Sequence, residues 1–311
     1  MVRLALIGAG NHSGQNHAPA LGKYAADHPD LLELAAVCDL DRTKAESFAV
    51  SHGFKAVYTD YREMLEEESL DGCVCVMPIA LIADLAEDLM RRKMPTTVEK
   101  PMGETLAEVD RLLATARETL TPNMVSVNRR FEPLLRRGID WAREHGSLRF
   151  VRASILRHRR QEEGFISGTA IHCIDALREI GGNISDHRMH THEGETTWFH
   201  IDLAYDSGAT ATLDVLPTDG SVEERYELFG EGFRVDARVG PSPVPRLRCW
   251  LNGEIVLDES PPLDQPPFIR WGPYGETHEF VTALSEGRSP WPSVEEIYPS
   301  VQLAYQLDPH K

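Results

Sequence analysis

Three glycines follow the first apolar run of the chain and have the residue type and spacing to cradle a phosphate. Gly8 and Gly10 come directly after the apolar residues 4–7, and Gly14 precedes a stretch of helical character. In such a strand–turn–helix one glycine turns the chain, and a second lets the backbone approach a pyrophosphate. The free N–H groups of the helix then face the anion. A standard fingerprint has its third glycine at position 13, where this chain has Ser13. The spacing predicts a dinucleotide site with one irregular residue.

Asp39 ends the second apolar run, residues 33–38. A carboxylate at the end of the second strand can accept hydrogen bonds from both hydroxyls of an adenine ribose. It also repels a 2′-phosphate, which favours NAD over NADP. Arg42 follows three residues later and softens this preference, so NADP remains possible. The alternative interpretation is that Asp39 only caps the helix that follows.

Lys100 lies between Glu99 and Pro101, directly after the strand predicted at residues 97–98. Its ammonium, with a pKa lowered by burial or by a nearby positive charge, could exchange a proton with a hydroxyl group. The alternative is a surface lysine paired with Glu99.

His172 and Asp175 are three residues apart in the helix predicted over 168–180, so they share a face of it. An imidazole suits proton transfer because its unperturbed pKa lies near neutrality. A basic cluster at residues 157–160 begins with Arg157 and could hold a carboxylate or phosphate of a substrate. Pairing of that cluster with Glu162 and Glu163 is the alternative.

Four further histidines follow the helix but predict no metal centre. His190 and His192 would share a strand face, yet no matching cysteine or aspartate pattern accompanies them or their neighbours His187 and His200. The sequence therefore predicts no metal site.

Composition limits the class of protein that could carry these groups. The chain has 311 residues, 41% of them hydrophobic, and a formal net charge of −17. Because nucleic acids and anionic membranes need clustered positive charge, neither is an expected partner. A membrane span needs roughly 18 or more consecutive apolar residues, and a secretion signal needs a basic start; neither pattern is present. Five cysteines without a CxxC pair favour a reducing, cytoplasmic setting.

Alternating strands and helices predict an α/β fold of two domains. Residues 1–122 are expected to form a Rossmann domain, a doubly wound parallel sheet that binds NAD(P). Residues 123–311 are expected to form an α+β domain for substrate binding and oligomerisation, with an open, largely antiparallel sheet. Two final helices, near residues 274–286 and 293–307, could pack back on the first domain.

The order of these motifs resembles the Gfo/Idh/MocA family of NAD(P)-dependent oxidoreductases. The resemblance covers essentially the whole chain. It rests on the glycine turn, the acid after the second strand and Glu-Lys-Pro at 99–101, followed by three later motifs: Val127-Asn-Arg-Arg-Phe131, His172-Cys-Ile-Asp175 and Glu276-Thr-His-Glu-Phe280. It implies an enzyme that moves hydride between NAD and a sugar, a polyol or a related hydroxy compound.

The resemblance also implies roles for individual residues. Lys100 would polarise the substrate oxygen, His172 would accept the hydroxyl proton, and Asp175 could replace an aspartate that the family commonly has at position 168, where this chain has glycine. The expected cofactor contacts are Gly8, Gly10, Asn11, His12, Gly14, Asp39, Arg42, Met77, Pro78, Glu99 and Lys100. The expected substrate contacts are Lys100, Asn128, Arg129, Arg157 and His172.

The resemblance also bears on the oligomeric state and on the alternatives for the function. Members of the family often pair through the second sheet, so a homodimer or homotetramer is expected. Two alternatives stay open: an NAD-recycling glycosidase or eliminase of the same family, and a binding protein for nucleotide or sugar without catalysis. A reductase of a bulkier apolar substrate is a weaker option.

Overall fold

The computed structural model describes residues 1–262 and 264–311 and contains two β-sheets. The first sheet has six parallel strands in the order β3-β2-β1-β4-β5-β6. Its strands are β1 Val2–Ile7, β2 Leu32–Cys38, β3 Ala56–Tyr58, β4 Gly72–Cys75, β5 Thr96–Glu99 and β6 Asn123–Ser126. Three of them, β4, β5 and β6, are buried at every residue, as strands covered on both faces must be.

Helices connect successive parallel strands of this sheet. They are α1 Ala18–Asp27, α2 Arg42–His52, α3 Tyr61–Glu67, α4 Ile79–Arg91 and α5 Leu106–Thr119. Asp41 begins α2 by accepting the backbone N–H groups of Thr43 and Lys44. Because β1 lies between β2 and β4, the strand order reverses beside it, and ligands of such sheets bind at the carboxyl ends of the strands there.

The second sheet has eight strands in the order β14-β13-β12-β11-β7-β10-β9-β8. They are β7 Leu148–Leu156, β8 Ile184–His192, β9 Trp198–Tyr205, β10 Thr210–Leu216, β11 Glu223–Gly230, β12 Phe233–Val239, β13 Arg246–Leu251 and β14 Glu254–Glu259. Strands β7 and β10 pair in parallel, and the other neighbouring strands are antiparallel. Burial alternates residue by residue along β9, as expected for a sheet with one open face.

The remaining helices are α6 Pro133–His145, α7 Ile171–Gly181, α8 Pro267–Arg270, α9 Pro273–Glu286 and α10 Val294–Leu307. The packing of α6 and α7 covers one face of the second sheet. The helix predicted over 168–180 is α-helical only from Ile171, because a π-helical turn, Ile166–Ala170, precedes it. The predicted fold class, a Rossmann sheet followed by an α+β part with a mostly antiparallel sheet, is confirmed.

The chain divides into two compact units that differ from the predicted division at residue 122. The first unit comprises residues 1–127 and 273–299, and the second comprises 128–272 and 300–311. The first unit extends past 122 because β6 pairs with β5. It also includes α9, whose His278 Nδ1 lies 3.1 Å from the hydroxyl of Tyr24 on α1. Among the described residues, no helix is long and apolar enough to cross a membrane.

Candidate cofactor and active site

In the turn after β1, one glycine is required by the fold and another has free space beside it. Gly8 has a φ of +103°, and a Cβ there would lie 2.1 Å from the carbonyl oxygen of Val76. A Cβ on Gly10 would meet no atom within 4 Å. Gly8 is therefore needed by the protein itself, whereas Gly10 leaves space beside the backbone that a ligand could use.

The displaced third glycine packs against a neighbouring helix. A Cβ on Gly14 would lie 3.1 Å from the ring of Phe48 on α2, so this position keeps the two helical segments close. The additional residue is accommodated by a π-helical turn, Ser13–His17, directly before α1. Such turns are typical of one-residue insertions and occur frequently at functional sites.

A cavity of about 460 Å³ opens at the carboxyl ends of β1, β2 and β4. Asp39 lines it and accepts hydrogen bonds from the N–H groups of Ala9 at 2.7 Å and Asp41 at 2.9 Å. The interpretation of Asp39 as the helix cap is wrong, because Asp41 caps α2. The other residues that line the cavity include Gly8, Gly10, Leu40, Lys44, Asp60, Arg62, Met77 and Pro78.

These residues fit a dinucleotide. Room beside Gly10, an acceptor at Asp39 and the apolar side chains of Leu40 and Met77 suit a phosphate, a ribose and an adenine in turn. Arg42 does not line this cavity; its exposed side chain pairs with Glu46 at 3.1 Å. The cations beside the cavity are instead Lys44 and Arg62. Asn11 is an exposed residue of the same turn.

Glu99, at the end of β5, is a buried carboxylate that binds two histidines. His17 Nε2 lies 2.6 Å and His12 Nε2 3.1 Å from its Oε1 atom. Burial by itself would raise the pKa of Glu99, but the hydrogen bonds from His12 and His17 outweigh burial and hold the pKa well below its usual range. The same hydrogen bond to Glu99 raises the pKa of His12.

The second oxygen of Glu99 holds the main chain of Lys100. Oε2 accepts the Lys100 N–H at 3.0 Å, and the Lys100 side chain is half-buried. One carboxylate thus connects the backbone of the predicted catalytic lysine to His12 of the glycine turn.

In the second unit, His172 is half-buried in the first turn of α7. Asp175, one turn later, is fully buried and accepts two hydrogen bonds of 2.8 Å from Arg130 and a third, also 2.8 Å, from the Ser300 hydroxyl. All three contacts are internal to this unit. Asp175 is thus one member of a buried ion pair, and its role as a catalytic group stays a prediction.

Two predicted substrate contacts also belong to a buried ion cluster. Arg129 donates to Glu224 at 2.5 and 2.6 Å, and Arg157 pairs with the same carboxylate. Burial opposes ionisation of Glu224, but the two arginines lower its pKa to about 2. The side chains of Arg129 and Arg157 are only 7% and 10% exposed, and their assignment as substrate contacts stays a prediction. Asn128 is half-buried, and its Oδ1 accepts from Arg129 Nη1 at 3.0 Å.

Sequence reasoning missed His17 and Glu224. His17 lies three residues after the displaced glycine, and the irregular spacing of that turn was the available signal for it. Glu224 is one of several acids in an ordinary strand pattern, and its partner Arg129 is distant in sequence, so no local signal could have identified it. Arg160 pairs with Glu162, as the alternative interpretation of the basic cluster expected.

Comparison with known protein families gives a match over the N-terminal part of the chain. Residues 2–128 match the family model described as an oxidoreductase family with an NAD-binding Rossmann fold. That model is the Gfo/Idh/MocA family model, so the resemblance predicted from the sequence is confirmed over these residues.

Two relatives of the chain are named as dehydrogenases. The chain is 27% identical to 4-carboxy-2-hydroxymuconate-6-semialdehyde dehydrogenase of a Sphingobium species, over 99% of the chain and 98% of that protein. It is 32% identical to inositol 2-dehydrogenase of Rhizobium meliloti, over 45% of the chain and 41% of that protein. The chain is thus similar to proteins named as dehydrogenases, as the sequence predicted.

Solved structures share the fold along the whole chain. A dehydrogenase from Chromobacterium violaceum superposes with a TM-score of 0.86 at 20% identity, over 99% of this chain and 94% of that one. An oxidoreductase from Agrobacterium radiobacter, solved in complex with NAD+, L-tartaric acid and magnesium, has a TM-score of 0.82 at 20% identity, over 98% and 94% of the two chains. At such identities the likeness concerns the fold.

Proposed function

We propose that the protein is an NAD-dependent oxidoreductase that acts on the CH–OH group of a sugar, a polyol or a related hydroxy compound. The observation that supports the proposal is that the two carboxylate oxygens of Glu99 bind different parts of the site. Its Oε1 accepts from His12 of the glycine turn, and its Oε2 accepts the main-chain N–H of Lys100. The predicted catalytic lysine is thereby fixed relative to the turn that would hold the cofactor.

The cofactor contacts proposed here are Gly8, Gly10, Asp39, Met77 and Pro78, with Asn11 and His12 in the turn. Asp39 supports NAD rather than NADP, because a carboxylate at this position repels a 2′-phosphate. When bound, NAD would supply the ring carbon that accepts the hydride.

Two side chains of this chain would act on the substrate. The Lys100 ammonium donates to the reacting oxygen and stabilises its charge, and the His172 imidazole accepts the hydroxyl proton. Asn128 remains a proposed substrate contact. This chain has glycine at position 168, where the family commonly has an aspartate. In this proposal Asp175 does not replace that aspartate, because its carboxylate already binds Arg130.

That loss favours a second candidate, a binding protein without catalysis. A Cβ on Gly168 would meet no atom within 4 Å, so a side chain would fit at this position and glycine is not required by packing. If the protein is non-catalytic because this carboxylate is missing, Gly168→Asp supplies it and should gain turnover.

The test is an assay of purified protein with NAD or NADP and a panel of sugars, polyols and sugar acids, followed by reduced-nicotinamide absorbance. The panel includes a carboxylated semialdehyde, because the relative that aligns along the whole chain is named for such a substrate. Net reduced nicotinamide with one class supports the dehydrogenase. Cleavage of a glycoside without net reduced nicotinamide would indicate the recycling glycosidase instead. Nucleotide binding without conversion of any compound, glycosides included, would indicate the binding protein.

The assembly is also a proposal. We propose a homodimer or homotetramer, as expected from the family, formed through the half-exposed face of the second sheet. No nucleic acid or membrane partner is proposed, given the net charge of −17.

A further inference from the structure

The π-helical turn after β1 brings together two histidines that an α-helix would separate. In an α-helix of 3.6 residues per turn, positions five apart point about 140° away from each other. A π turn, with its wider i→i+5 spacing, brings such positions close to one side. His12 and His17 are five apart across the turn Ser13–His17, and their ring centroids are 5.6 Å apart.

The two imidazoles and Glu99 together form a compact set of donor atoms. His12 Nε2, His17 Nε2 and a Glu99 carboxylate oxygen all lie within 4.8 Å of one another. The side chains of His17 and Glu99 are each 9% exposed, whereas that of His12 is 54% exposed. Two donors are thus fixed inside the protein, and the third borders solvent, from which an ion could enter.

We propose that His12, His17 and Glu99 form a binding site for one divalent first-row transition metal ion, of which Zn²⁺ is the best match. Two histidine nitrogens and one carboxylate are a ligand set that zinc accepts, with a fourth position left for water. The π-helical turn that contains the displaced third glycine, Gly14, places His12 and His17 together against Glu99. The site therefore follows from the departure of this chain from the standard fingerprint.

Neighbouring groups orient these ligands. Oε2 of Glu99 accepts the Lys100 N–H at 3.0 Å, which leaves Oε1 for the ion. The Asn16 Nδ2 atom lies 3.3 Å from Nδ1 of His12 and donates to the His12 carbonyl oxygen at 3.2 Å, so it restrains both the ring and the main chain of His12. Outer contacts of this kind usually fix the ring of a metal-binding histidine.

The local charge also suits a cation. Glu99 supplies a negative charge beside the two imidazoles, and Lys100 is the nearby positive charge that opposes a cation. Because a histidine nitrogen binds a metal ion only without its proton, the affinity should rise with pH.

The test is metal binding by the full chain after removal of metals with a chelator. Zn²⁺ is titrated by calorimetry, and Co²⁺ by its visible ligand-field absorption. We expect one equivalent of either ion, bound more tightly at pH 8 than at pH 6. In His12→Ala the affinity should fall by more than the roughly 10–100-fold that loss of an outer contact costs.

His190→Ala is the matched control, because His190 lies on an exposed strand, 3.7 Å from Asp202 and directly opposite His200. It should bind the ion as the wild type does. His17→Gln, with folding checked by thermal melting, is the second variant and should also lose the ion. Three results would overturn the proposal: no stoichiometric binding, binding that survives His12→Ala, or binding that is lost in His190→Ala. None of these readouts depends on turnover, so the proposed oxidoreductase activity is tested separately.

Discussion

The Nε2 atom of His17 lies 2.6 Å from Oε1 of Glu99, and each of the two side chains is only 9% exposed. A carboxylate so far from water is ionised only because donors surround it: His17 and His12 at one oxygen and the Lys100 N–H at the other. This relationship links the glycine turn to the predicted catalytic lysine within one unit.

The first prediction concerns Glu99→Gln, which keeps the side-chain shape and removes the charge. We expect the free energy of unfolding to fall by about 1.5–3 kcal/mol, the usual contribution of hydrogen bonds to a charged group. Because the folded pKa of Glu99 is depressed, its contribution is present above its ordinary pKa of 4.5 and is lost as the pH falls through the folded value. Because the pKa of His12 is raised, its contribution is present below 6.5 and is lost as the pH rises through the folded value.

The difference between the wild type and Glu99→Gln should therefore be largest between about pH 4.5 and 6.5. Urea unfolding at pH 3.5, 5.5 and 8.5 measures it. Glu66→Gln, at an exposed position of α3, is the control and should change little. A difference that is the same at all three pH values would show that the ionised cluster does not stabilise the fold.

The second prediction separates two glycines of the same turn. Gly8→Ala should destabilise the fold severely, since its Cβ would meet the Val76 carbonyl oxygen and its φ is +103°. Gly10→Ala should unfold like the wild type, because its Cβ meets no protein atom within 4 Å, yet it should bind NAD less tightly. Thermal melting and NAD calorimetry on both variants measure this. Unchanged NAD affinity in Gly10→Ala would place the cofactor elsewhere.

The third prediction concerns the choice of nucleotide. Asp39→Asn should raise the Kd for NAD by roughly 10- to 150-fold, because a hydrogen bond to a charged group contributes about 1.5–3 kcal/mol. It should leave the affinity for NADP unchanged or improved, since Lys44 and Arg62 line the same cavity. Asp60→Asn, in the same cavity, is the control. Equal losses for both nucleotides, or a larger loss in Asp60→Asn, would argue against Asp39 as the ribose partner.

The fourth prediction concerns the ion cluster around Glu224. Arg129→Ala removes one of two arginines from a fully buried carboxylate and should cost about 3–5 kcal/mol of unfolding free energy. Arg152→Ala, whose more exposed side chain pairs with Glu227 at 3.5 Å, should cost at most about 1 kcal/mol. Denaturant unfolding measures both. If Arg129→Ala instead raised KM for the substrate without loss of stability, its prediction as a substrate contact would be supported.

The sequence predicted the fold well because the physical signals for it are local. Apolar runs mark the central strands, and Gly8 is required both by its φ and by the close approach of Val76. Asp39 could be placed at the carboxyl ends of the parallel strands because it directly follows β2.

The charged residues of the second unit were harder to assign. Arg129, Arg157 and Asp175 have the residue types that bind substrates or transfer protons, but residue type does not reveal burial or a distant partner. Their partners, Glu224 and Arg130, become neighbours only through tertiary packing. The His17–Glu99 contact was missed for the same reason, since β5 and the glycine turn are far apart along the chain.

The most direct test of the oxidoreductase assignment compares turnover of the wild type, Lys100→Ala and Lys55→Ala, with NAD affinity measured by calorimetry in each. Lys55 is an exposed lysine that pairs with Glu33 and serves as the matched control. We predict that Lys100→Ala lowers the rate of reduced-nicotinamide formation by at least about 100-fold, with NAD still bound, because it loses the ammonium that stabilises charge on the reacting oxygen. Lys55→Ala should retain the wild-type rate. Wild-type turnover in Lys100→Ala, or failure of the wild type to bind any nicotinamide nucleotide, would contradict the account.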